Sequence, residues 1–135
     1  MSKVIVVDTS AVIAILKWEP EADRLVEIIG RNEPRMSAGT LAELMIVGAG
    51  KGLAAPLQEF MASAGIAIVP VDEDMARRVG DAYVTWGKGV HPAGLNFGDC
   101  FGYALAKSLA APVLYVGNDF SKTDCRAALP TADKD

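Results

Sequence analysis

The chain has 135 residues, 51% of them hydrophobic, and a net charge of −4. This length and apolar content predict a single domain spanning 1–135, able to bury roughly two thirds of its unfolded surface, and exclude an intrinsically disordered chain. The acidic balance excludes a protein that holds nucleic acid by bulk charge.

Val4-Ile5-Val6-Val7 is a continuous β-branched run, the pattern of a strand buried on both faces in a parallel sheet. Asp8 ends it and a helix is predicted over 9–16. Asp8 reads as an N-cap or as an acid at the carboxyl end of a parallel strand, where open α/β sheets bind ligands. Lys3 and the apolar runs on either side of Asp8-Thr9-Ser10 mimic a signal peptide, but those three polar residues interrupt it in the middle. No uninterrupted apolar stretch is long enough to span a membrane. Pro20 is expected to open a second helix, with Ala22, Leu25, Val26 and Ile29 on one face and Gly30 at its end. A weak strand follows over 34–37. The next helix is predicted over 40–47, with Thr40-x-x-Glu43 matching a capping box. Glu43 then either caps that helix or presents an acid one turn into it, just after a strand.

Gly48-Ala49-Gly50-Lys51-Gly52 invites a phosphate-loop reading, but Met45 and Gly52 stand where that motif needs Gly and Ser or Thr. It reads instead as a flexible turn before a helix over 53–64. A strand over 66–69 ends at Pro70, and Asp72 caps a helix from 73 to about 86, with Met75, Val79, Ala82 and Trp86 as its apolar side. The stretch 87–94, with three glycines, Lys88 and the single histidine His91, reads as a surface loop. One histidine without suitably spaced partners does not make a zinc site. Asn96 is a good N-cap for the next helix, and Asn96-x-x-Asp99 resembles a capping box. Phe97, Phe101, Leu105 and Leu109 recur at a spacing of four, predicting one apolar stripe. A last strand is predicted over 113–116, ending in Gly117-Asn118-Asp119-Phe120, which reads as an Asx turn or as a further acid at a strand end. The residues 131–135 read as a frayed tail. Cys100 and Cys125 form no CxxC and read as reduced thiols of a cytosolic protein.

Alternating strands and helices imply an α/β fold: a mainly parallel sheet flanked by helices, with right-handed crossovers. The strand ends that feed helices then share one edge, and Asp8, Glu43, Asp99 and Asp119 become candidates for one crevice. Clustered like charges raise one another's pKa and are costly unless a cation joins them. Oxygen-only ligands favour magnesium or manganese over zinc. A cation so held suits phosphate-ester chemistry, and no Ser–His or Cys–His pair offers a covalent route.

Position and spacing lead to an acidic metal site on an α/β domain. A resemblance leads further. Val-Ile-Val-Val-Asp8-Thr-Ser-Ala resembles the start of PIN-domain ribonucleases. Glu43 in Thr-Leu-Ala-Glu-Leu, Asp99 in Leu-Asn-Phe-Gly-Asp-Cys, and Tyr-Val-Gly-Asn-Asp119-Phe-Ser-Lys-Thr-Asp124 resemble the same family, in order and over nearly the whole chain. The resemblance is greatest to VapC-type toxins of bacterial toxin–antitoxin pairs. It implies a PIN-like three-layer sandwich and a magnesium-dependent endoribonuclease, manganese being a substitute. Asp8 and Asp99 would be principal metal ligands, Glu43 a ligand or water-positioning acid, and Asp119 would complete the pocket. Thr9 or Ser10 would lend a hydroxyl and Asp124 an outer contact. Asn118 stands where an acid can also occur. The implied partners are an RNA substrate, a small cognate antitoxin and a second copy of the chain.

Two other readings compete. A phosphatase of the haloacid-dehalogenase type also begins with a strand and Asp8-Thr9, and Gly117-Asn118-Asp119 with Asp124 is similar to its last motif. Such phosphatases usually carry a second Asp where Ser10 stands, and Glu43 and Asp99 go unexplained. An inactive PIN-like binding module is the other, and no missing acid supports it. RNA specificity is expected from loops and from local basic residues such as Lys88, Lys122 and Arg126.

Overall fold

The computed structural model describes residues 2–129. In chain order its elements are β1 (Val4–Val7), α1 (Thr9–Leu16), α2 (Ala22–Arg31), β2 (Glu33–Ser37), α3 (Ala38–Gly50) and α4 (Ala54–Ser63), then β3 (Ala67–Val69), α5 (Glu73–Trp86), α6 (Phe97–Leu109) and β4 (Val113–Leu114). The expected frayed tail over 131–135 lies outside the described residues.

The four strands form one parallel sheet in the order β3-β2-β1-β4. β1 is central, and its side chains alternate between the two faces. Val6 packs with α5, α6, Tyr115 and Phe120, while Ile5 and Val7 pack with α1, α2, Leu44 and Leu57. This two-sided burial is why β1 reads as an unbroken apolar run. Chain order reverses between β1 and β4, so the carboxyl end of β1 borders a crevice of the kind in which open α/β sheets bind ligands.

Several local expectations give way to tertiary packing. α3 begins at Ala38, not near Thr40, because the Ser37 hydroxyl accepts from the Gly39 amide at 3.1 Å. Thr40 is buried inside the first turn with its hydroxyl unpartnered, so Glu43 is not the second half of a capping box. α3 also runs through Gly48 to Gly50, and Gly48 packs closely on Leu57; the turn is confined to Lys51 and Gly52, the latter at φ +73°. α2 starts at Ala22 and passes through Gly30 to Arg31, with Val26 exposed. β4 is only two residues long, so Tyr115 and Val116 already belong to the connection that carries Asp119.

The predicted stripe on α6 is not one buried stripe. Leu105 is buried, but Phe97 is 69% exposed and Leu109 is also exposed. The buried face is Asp99, Cys100, Tyr103, Ala104 and Ala106. α6 comes close to α3 because Gly39 has no side chain: the Phe101 ring occupies the space that a Cβ would need.

Candidate active site

Four acids from four separate segments line one cleft of about 330 Å³. Asp8 enters from the end of β1, Glu43 from α3, Asp99 from the first turn of α6, and Asp119 from the connection after β4. Asp8 and Asp99 are almost fully buried, at 3% and 6% exposure, whereas Asp119 stands exposed on the rim.

Asp8 keeps its role as an N-cap and exceeds it. Its Oδ2 accepts from the Ser10 amide at 3.0 Å and from the Ser10 hydroxyl at 2.7 Å. The same hydroxyl accepts from the Val116 amide at 3.0 Å, tying α1 to the segment after β4. Asp8 Oδ1 is buried and has no hydrogen-bond partner. An unpaired buried carboxylate oxygen is costly in a metal-free fold. Thr9 donates its hydroxyl to Glu43 Oε1 at 2.7 Å and so fixes the glutamate from the neighbouring helix. Asp99 forms the expected capping box: its amide donates to Asn96 Oδ1 at 2.8 Å and its Oδ2 accepts from the Asn96 amide at 3.0 Å. The capping and functional readings of Asp99 are therefore compatible, since capping uses one carboxylate oxygen.

Burial pushes the Asp8 carboxyl up to about 6, aided by the negative charges of Glu43 and Asp119 and opposed by the Ser10 hydrogen bonds. Burial likewise pushes Asp99 up to about 7, with Asp8, Asp119 and Glu43 adding to the rise against the Asn96 amide bond. Both shifts arise chiefly because burial disfavours the charged form.

Among the described residues, no three Asp, Glu, His or Cys side chains converge into a ready coordination shell. A hard, hydrated cation keeps several waters and takes only one or two carboxylates directly. The unpartnered Asp8 Oδ1 and the raised pKa of Asp99 fit such an ion.

Gly98 was not evident from sequence as part of this arrangement. A Cβ at Gly98 would fall on the Glu43 carboxylate, so glycine there leaves the room in which that side chain sits. Lys51, passed over with the rejected phosphate loop, is the one basic residue among the described residues that lines the cleft. The basic residues singled out from sequence sit elsewhere. Lys88 and His91 belong to a loop closed by bonds from the Lys88 amide to the Leu95 carbonyl and from the Leu95 amide to the Trp86 carbonyl, with His91 edge-on to Trp86. Arg126 donates to the Ala110 carbonyl at the end of α6. Asp124 is not an outer contact of the four acids: it accepts from the Tyr103 hydroxyl at 2.7 Å and from Lys107 at 2.9 Å, and these bonds hold its carboxyl below the usual range. Trp86 Nε1 donates to the same Tyr103 oxygen, so this network clamps α5, α6 and the C-terminal segment together.

Comparison with known proteins agrees with this architecture. The PIN domain family model matches residues 5–125. Ribonuclease VapC30 of Mycobacterium tuberculosis is 39% identical over 130 residues, covering 93% of this chain and 99% of that protein. The crystal structure of Mycobacterium tuberculosis VapC20, a Sarcin-Ricin loop cleaving toxin, superposes with a TM-score of 0.72 at 16% identity, covering 90% of this chain and 95% of that one. A toxin–antitoxin complex from Klebsiella pneumoniae aligns with a TM-score of 0.67 at 18% identity, over 89% and 92% of the two chains. A PIN match over this span leaves no place for the dehalogenase-type phosphatase. The chain belongs to the PIN-domain family and, within it, to the VapC ribonucleases.

Proposed function

We propose that this protein is a magnesium-dependent endoribonuclease that acts as the toxin of a toxin–antitoxin pair, with Asp8, Glu43, Asp99 and Asp119 as its site. VapC nucleases of the PIN family are metal-dependent. The observation that carries the reading is the buried, unpartnered Asp8 Oδ1 in the same cleft as three further acids. Asp8 and Asp99 would hold the ion, and manganese would substitute for magnesium. A divalent ion there supplies Lewis-acid polarisation of the scissile phosphate and a water of lowered pKa. Glu43, steadied by Thr9, orients the attacking water. Ser10 keeps Asp8 in place through the bonds it makes to Asp8 and Val116. Asp119, on the exposed rim, would complete the pocket.

Two apolar surfaces support the partners. A groove of about 430 Å³ between α3, α4 and β3, lined by Leu41, Met45, Leu57, Met61 and Ile68, suits an apolar segment of a small antitoxin. Exposed Phe97 and Ile46, beside Glu43, form a patch that a second copy of the chain would cover. An RNA substrate would suit a cytosolic protein.

Cleavage of a labelled RNA is expected with magnesium and absent in excess EDTA; equal cleavage under both conditions, with contaminating nucleases excluded, would rule the mechanism out. Gly98→Ala gives a finer test. The added methyl displaces Glu43 and breaks its bond to Thr9, so kcat/KM should fall roughly 10- to 100-fold. The melting temperature should hold, since only a flexible side-chain end must move and alanine favours the helix. Unchanged kcat/KM would remove Glu43 from the chemistry.

A further inference from the structure

We infer that the acidic cleft continues along α1 as a track for single-stranded RNA, gripped at its far end by Trp18 and Lys51. This rests on the metal-dependent ribonuclease reading above. One wall of the cleft runs from Asp8, just before α1, past Ile13 and Ala14 to Glu19, just beyond it. The facing wall is α3, whose Glu43, Val47 and Lys51 line the cleft at a spacing of four, on one helix face. Eight helical residues rise about 12 Å, so the backbone of Lys51 sits at the opposite end of this helix face from Glu43. Among the described residues Lys51 makes no ion pair. It is the one cation available to a phosphate in an otherwise acidic cleft.

Trp18 does not itself line the cleft but adjoins Glu19, which does, at the same end. It precedes Glu19 of the cleft wall, is 84% exposed, and has φ +57°. α1 ends in a Schellman motif: the Glu19 amide donates to the Ala14 carbonyl at 3.0 Å and the Trp18 amide to the Ile15 carbonyl at 3.1 Å. The left-handed position of that motif ordinarily carries glycine. Here it carries the largest side chain, against both backbone preference and the tendency to bury apolar surface. A non-glycine residue held in this region invites a functional reading. An exposed indole on a fixed backbone is a stacking platform for an unpaired base. Stacking on any base face and a charge contact to any phosphate do not by themselves read a base sequence.

The test compares binding of a labelled single-stranded RNA of about twelve nucleotides to wild-type Trp18 and its variants in a cleavage-deficient Asp99→Asn protein. Trp18→Gly should weaken binding roughly tenfold, and Trp18→Phe should keep most of the affinity. Lys51→Gln should lower the slope of log affinity against log salt by about one. Trp18→Gly should also melt higher, because glycine relieves the backbone, which separates lost binding from lost folding. In the active protein the loss should appear in KM. Equal RNA affinity of Trp18→Gly and wild type would overturn the track, as would a variant that loses only its antitoxin and not RNA. An Asp99→Asn protein that still cleaves would instead strike at the metal site, while the Trp18 comparison would still decide the track.

Discussion

Asp99→Asn is expected to lower RNA cleavage by at least about a hundredfold while raising the melting temperature of the metal-free protein. Asparagine preserves size, and its side-chain oxygen can still accept from the Asn96 amide, so the capping box survives. What disappears is one buried anion from a cleft shared with Asp8, Glu43 and Asp119. The carboxyl of Asp99 is raised from 3.8 to about 7, so at neutral pH its charge opposes folding. Removing it should stabilise the metal-free protein by roughly 1–2 kcal/mol after allowing for solvent screening, a rise of several degrees. The sign reverses with metal. Magnesium at a hundredfold excess over its dissociation constant stabilises the wild type by ~2.7 kcal/mol, and a variant lacking a hard anionic ligand should gain much less. Melting both proteins in EDTA and in magnesium, beside one cleavage assay, decides the matter. An active variant with an unchanged magnesium response would leave Asp99 a helix cap and nothing more.

The metal-free wild type should lose stability as pH rises from about 4 to about 7, by roughly 2–4 kcal/mol. The direction follows from two acids whose folded pKa lies above the unfolded value of 3.8: Asp8 at about 6 and Asp99 at about 7. Between these limits the folded protein binds more protons than the unfolded chain, so raising the pH favours unfolding. Below 3.8 these two acids are protonated in both states and contribute no slope; above about 7 they are ionised in both and their penalty is complete. Saturating magnesium should flatten or invert the profile, because bound carboxylates must be deprotonated. Asp99→Asn in EDTA should show a shallower fall. Denaturant titrations across this range, with and without the ion, provide the measurement. A metal-free protein that is equally stable at both ends would show that the cleft does not strain its acids.

The elements and the acids were legible because each depends on local chemistry. β1 announces itself by a β-branched run that only a two-sided core rewards, α5 by Asp72 at its start, and α6 by Asn96 and Asp99 closing a box within one turn. The order of strands and helices, with the acids at their junctions, was enough to place all four on one edge of a parallel sheet. Where one segment had to answer to another, local signals misled. Thr40 looks like a cap but is buried inside α3, because Ser37 at the end of β2 already satisfies that helix. Phe97 fits the period of α6 yet faces solvent, because the helix turns Cys100, Tyr103 and Ala104 toward the core. Asp124 sits in a motif shared with the site but is drawn to Tyr103 and Lys107, on a clamp apart from the four acids.

What the sequence by itself determined is therefore the alternation of elements, the family and the identities of the four acids. What only the tertiary structure decided is how those acids are held: Thr9 on Glu43, Ser10 bridging Asp8 to Val116, the space beside Gly98, and an Asp8 oxygen left without a partner. The reason is physical. Caps and periodicities act within a few residues, whereas burial, unpaired polar atoms and raised pKa values arise only when segments as distant as 8, 43, 99 and 119 are packed into one low-dielectric cleft.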